Sequence, residues 1–93
     1  MTDEYLDAKR GEIAATDREI MTLLRRRLDI ATDIGRYKAE HGLDVRNLTV
    51  EQKVIDRYRS LAEELDMDPD RAEEICKVIM GESVANEAAV KKP

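Results

Sequence analysis

The chain is expected to be all-α, with three helices, one long and two shorter, and to form an antiparallel homodimer through the long one. Three observations lead there. Leu6, Ile13, Ile20, Arg27 and Ile34 recur every seven residues, which is the spacing of one helical face. The apolar content comes from Leu, Ile, Val, Met and Ala, with three Tyr, no Trp and no Phe, and no alternating pattern suggests a strand. Cap-like residues divide the 93 positions into three helical stretches inside a single domain, 1–93.

The first helix is placed at about 3–41. Thr2 or Asp3 caps it, and Asp3 and Glu4 suit the positive end of its dipole. Its inner face carries Ile13, Ile20, Leu24, Ala31 and Ile34, widened by Leu23, Leu28, Ile30 and Tyr37. Gly11 and Gly35 are interior glycines that each cost about 1 kcal/mol of helix propensity. Gly35 lies between Ile34 and Lys38, where it allows close approach of another helix or of a ligand. His41-Gly42 is the stop. Such a helix spans roughly 57 Å, more than the remaining residues can cover. Its apolar stripe therefore meets its own copy, unless the helix breaks near Gly11 or Gly35 and folds back into a monomeric bundle.

The second helix is placed at about 50–65, capped by Thr49 with Gln52 completing a capping box. Val54, Ile55, Tyr58, Leu61, Ala62 and Leu65 form its inner face. The third runs over about 69–88, with Asp68 as cap and Pro69 at its first position. Ala72, Ile75, Cys76, Ile79, Ser83, Asn86 and Glu87 face inward there, with Met80 and Val84 beside them. Lys91-Lys92-Pro93 reads as a frayed end.

Charged residues make up 40% of the chain, and the formal net charge is −5. A chain so charged gains its core by association or stays loose. The acidic balance argues against nucleic acid and anionic membrane as partners, though not against a small anion held in a local pocket. Cys76 lies in the apolar run 75–79, as expected of a reduced, partly buried thiol. One cysteine makes no internal disulfide, the acidic start has no following apolar region, and no run reaches membrane length. The cytoplasm is the expected compartment. No pattern suggests a metal site or a cofactor fold, so any enzyme here works by position and charge alone.

Several polar residues are not explained by the apolar stripe. Arg27 occupies a place in the seven-residue series, and Lys38 follows three turns later on the same side, about 16 Å along the axis. Inward cations need a counter-charge, and an anionic small molecule between helices would supply one. Arg27 otherwise snorkels at the stripe's edge or pairs with Asp17 or Glu87. Lys38 otherwise caps its helix, and Arg10 is otherwise an ordinary surface arginine. Arg10 lies about 25 Å from Arg27 along the helix. An antiparallel second copy would instead bring its Arg10 toward the Lys38 end. Ser83 and Glu87 share a helical face, and His41 reads as a C-terminal cap.

Taken together, these residues resemble the all-helical chorismate mutase family, of the short intertwined-dimer type. The likeness runs from about Leu6 to Glu87 through four ordered stretches. These are Arg10, Ile13 and Asp17; Leu23-Leu24, Arg27, Ala31, Ile34-Gly35 and Lys38; Val45-Arg46-Asn47 with Glu51; and Ile79, Ser83 and Glu87. The resemblance implies that Arg27, and Arg10 from the other subunit, hold the two carboxylates of chorismate. It implies Lys38 near the ether oxygen and one carboxylate. Glu51 and the backbone around Asn47 would meet the ring hydroxyl, and Ser83 would assist a carboxylate. Glu87 stands where many members carry Gln, which donates a hydrogen bond to the ether oxygen. Val50 replaces a frequent further arginine, and Asn47 a common Asp. The implied reaction is the rearrangement of chorismate to prephenate, without metal or cofactor, with Lys38, Glu87 and Arg27 as catalytic residues. An isochorismate pyruvate lyase is the neighbouring alternative, and a non-enzymatic helical dimerisation module is the alternative of a different kind.

Overall fold

The computed structural model describes residues 3–90, and these form three α-helices: α1 (Glu4–His41), α2 (Leu48–Glu64) and α3 (Pro69–Ala89). Asp3 caps α1, its carboxylate accepting from the Leu6 backbone N–H at 3.1 Å. Thr2 and the tail 91–93 lie outside the described residues. Gly42 ends α1 with φ at 65°, a left-handed conformation that glycine adopts without steric cost. His41 supports that end by bonding the Tyr37 carbonyl through Nδ1 at 2.8 Å.

The start of α2 differs from the sequence expectation. Asn47, not Thr49, is the cap, with its side-chain oxygen accepting from the Val50 N–H at 3.2 Å. Asn is the stronger capping residue, and starting there adds Leu48 and Thr49 to the helix. Gln52 turns to Asp56 rather than closing a capping box. Past α2, Asp66 takes a left-handed φ of 58°, and the Met67 N–H returns to the Ala62 carbonyl at 2.7 Å. That closes the helix as a Schellman turn. Asp68 and Pro69 then start α3 in the expected way.

Helix α3 packs against both α1 and α2, while the α1 and α2 backbones stay apart, with no Cα atoms of the two within 8 Å. The buried residues sit along α3 and where it meets its neighbours: Ala72, Cys76, Met80 and Ser83 on α3, Ala31 and Gly35 on α1, and Ala62 on α2. Ile75, expected inward, is more than half exposed because the buried face of α3 runs through 72, 76, 80 and 83. At Gly35 the backbones of α1 and α3 approach closely. A Cβ there would stand 2.7 Å from the Glu87 Cα, so only glycine fits at this backbone approach. The expected close approach at Gly35 is thus made by a helix.

The molecule measures 61 × 28 × 15 Å, its length set by α1. From Glu4 to Leu23 every residue of α1 is exposed, including Leu6 at 43%, Ile13 at 60% and Ile20 at 50%. Coverage of α1 by the described residues begins at Leu24 and buries Ala31 and Gly35, while Ile30, Ile34 and Tyr37, expected inward, remain about half exposed. No helix among the described residues is long and apolar enough to cross a membrane.

Candidate functional site

Because α1 and α2 flank α3 with their backbones apart, they form the walls of a trough whose floor is α3. The cavity is about 580 Å³. Arg27, Ala31, Ile34 and Lys38 project from one wall at helical spacing, and Asn47, Val50, Glu51, Val54 and Arg57 from the other. Met80, Ser83, Val84 and Glu87 rise from the floor. Chain direction reverses between α1 and α2, which gives the trough two distinct ends. Lys38, Asn47, Glu51 and Glu87 share one, Arg27, Arg57 and Ser83 the other, with apolar side chains between.

At the first end, Lys38 Nζ donates to the Glu87 carboxylate at 2.8 Å and to the Val45 carbonyl at 2.5 Å. These bonds tie the 43–47 connection and the end of α3 to α1. Both side chains are largely enclosed, 20% and 10% exposed respectively, so this pair is much less screened than one on the surface. An ammonium has three donors, and two are used here. Across the trough, Glu51 accepts two hydrogen bonds from Arg46, at 2.7 and 3.0 Å. Those hydrogen bonds hold the Glu51 carboxyl below its ordinary range against the opposing effect of partial burial, with the Arg46 and Lys38 charges adding to the effect.

At the second end, Arg27 donates from Nη1 to Ser83 Oγ, and Ser83 in turn donates to the Ile79 carbonyl at 3.2 Å. The serine hydroxyl thus orients the guanidinium while leaving its other N–H groups free. Arg27 has no carboxylate within 4.0 Å among the described residues, so the alternative pairings with Asp17 and Glu87 do not form. Asn86 ties α3 to α1 beside it, donating to Thr32 Oγ1 at 3.1 Å. Cys76 is fully buried, and burial pushes its thiol up despite the positive Arg27 and Arg57 nearby. It stays protonated and unreactive at neutral pH.

The trough therefore gathers Arg27, Lys38, Asn47, Glu51, Ser83 and Glu87 from all three helices. Arg10 is not among them. It lies on the exposed half of α1, 3.5 Å from Asp7. Two contributors were missed in the sequence. Val45 offers only a backbone carbonyl, which no side-chain pattern announces. Arg57 continues the 47, 50, 54 series by one further step, a signal that was present but is easily overlooked on a helix whose apolar face is centred elsewhere. No group of three or more His, Cys, Asp or Glu among the described residues is arranged to hold a metal ion.

Comparison with known proteins is consistent with this geometry. The chain is 33% identical over 84 residues to the T-protein of Haemophilus influenzae, covering 90% of this chain and 22% of that protein. It is 30% identical over 82 residues to the T-protein of Enterobacter agglomerans, covering 88% of this chain and 22% of the relative. It thus spans under a quarter of the length of these curated relatives. A family model described as chorismate mutase type II matches residues 9–88, which takes in most of α1, all of α2, nearly all of α3 and every lining residue of the trough, and the chain belongs to that family.

Proposed function

We propose that the chain converts chorismate to prephenate in the trough, as one domain acting within an antiparallel, intertwined homodimer. The observation that carries this reading is the convergence of Arg27, Lys38, Glu51, Ser83 and Glu87 on one cavity with an apolar middle. Chorismate is a dianion with an apolar ring face, and the cavity has cations at both ends. The rearrangement is intramolecular: a carbon–oxygen bond breaks ahead of carbon–carbon bond formation, and the substrate must first adopt a compact diaxial pose. A guanidinium held by Ser83 can clamp a carboxylate bidentately and hold that pose. Negative charge grows on the ether oxygen as its bond lengthens, and the third donor of Lys38 would meet it. One donor placed in advance is worth roughly 3 kcal/mol, or about a hundredfold in rate. No step requires a metal or cofactor.

The dimer is supported by the bare half of α1. Tyr5, Leu6, Ile13, Ile20 and Met21 are left uncovered by the described residues, and a second copy running antiparallel would cover them. That arrangement would also carry Arg10 of the second copy to the trough, giving a site shared between subunits. A cytoplasmic location fits an enzyme acting on a small metabolite.

Glu87 would serve as a donor to the ether oxygen in its acid form. A carboxylate repels the developing charge on the ether oxygen, and only the protonated acid donates to it. Glu87→Gln places an amide donor there at every pH, and it is therefore expected to flatten the pH profile of the reaction. A Gln variant with the wild-type profile would remove Glu87 from the mechanism.

Incubating the purified chain with chorismate and with isochorismate tests the whole reading. Prephenate from chorismate is expected. Salicylate and pyruvate from isochorismate would instead indicate the lyase, and no turnover of either would favour the dimerisation module.

A further inference from the structure

Five cations among the described residues have no carboxylate within 4.0 Å: Arg18, Arg26, Arg27, Lys53 and Arg57. Only Arg27 and Arg57 line the trough. The trough's own carboxylates are both engaged, Glu87 by Lys38 and Glu51 by Arg46. One end is thus close to neutral, while the other holds two guanidiniums, one from each wall, without a counter-ion among the described residues. The thiol of Cys76, in the floor below, lies within reach of both positive charges.

We propose that Arg57 binds a substrate carboxylate, forming with Arg27 a two-guanidinium clamp at the end of the trough remote from Lys38. The proposal rests on the chorismate reading above. It adds a residue that the sequence comparison of motifs does not pick out, and it assigns each end of the trough a task. The compensated end, with Lys38, meets the reacting ether oxygen, and the uncompensated end anchors charge. An exposed arginine with no intramolecular bond loses side-chain entropy on clamping, and paired charge-assisted hydrogen bonds to the carboxylate offset that loss.

The test is steady-state kinetics of the full chain on chorismate, with Arg57→Gln, Arg57→Lys and, as a control of equal charge change on the same helix, Lys53→Gln. Arg57→Gln is expected to raise KM about 10- to 100-fold, as loss of a charge-assisted hydrogen-bonded contact does, with kcat changing less. Arg57→Lys should recover part of the loss, since it keeps the charge but not the fork. Lys53→Gln should match the wild type, and thermal melting should be unchanged in all three. A KM for Arg57→Gln within twofold of wild type, or equal shifts in Arg57→Gln and Lys53→Gln, would overturn the assignment. Turnover present in the wild type, with a KM that Arg57→Gln leaves within twofold, removes this inference alone. Absence of turnover in the wild type removes the proposed function and the inference together.

Discussion

The two halves of α1 carry the same kind of sequence and end in opposite surroundings. From Leu24 to His41 the stripe meets α3, with Ala31 and Gly35 buried, Arg27 bonded to Ser83 and Lys38 bonded to Glu87. From Glu4 to Leu23 the stripe continues in register, and every residue there is exposed among the described residues. Period alone places a helical face; it does not say which surface covers that face. The same contrast appears in the glycines. At Gly35 an added Cβ would collide with the α3 backbone, whereas at Gly11 it would meet nothing within 4 Å.

The largest effect that would break this comparison comes from charging the bare half. Ile20→Asp puts an unpaired carboxylate into the surface assigned to the second copy, once per subunit, at a cost on the order of several kcal/mol for the pair. Sedimentation should show a dimer in the wild type and monomer in the variant. A variant that remains dimeric at the same concentration would place the contact elsewhere. Gly35→Ala should cost about 1–3 kcal/mol, as overpacking does. It should also displace Glu87 from Lys38, so that the melting temperature and kcat fall together. An unchanged melting temperature would mean that α3 has room to move. Gly11→Ala is the smallest change and the sharpest contrast. It should raise stability by up to about 1 kcal/mol through helix propensity alone, and a loss would show that this half of α1 is closely packed in the assembled protein.

Much of the fold was legible because it depends on local chemistry. Asp3 and Gly42 bracket α1, and Asp68-Pro69 opens α3, each through bonds within a few residues. Gly35 could be read as a close approach because a glycine inside a helix at a site face has few other uses. The start of α2 was misread because Asn47 and Thr49 are both competent caps two residues apart, and the choice depends on the longer helix that Asn47 permits. At the site, the type and face of Arg27, Lys38, Ser83 and Glu87 were readable, but their pairing was not. Whether Glu87 meets Arg27 or Lys38 depends on how far α3 slides along α1, which Gly35 fixes only once the two helices are packed. Arg57 escaped for a similar reason, since its face of α2 acquires meaning only when α3 sets the rotation of that helix.

The central claim is that cations from two copies of the chain converge on one dianion. Mixing two inactive variants tests it most directly. Arg10→Ala and Arg27→Ala should each be nearly inactive on chorismate. If sites are shared, exchange of subunits gives mixed dimers with one intact site, and an equal mixture should recover about a quarter of wild-type activity. Full inactivity of the mixture after demonstrated subunit exchange would contradict a shared site.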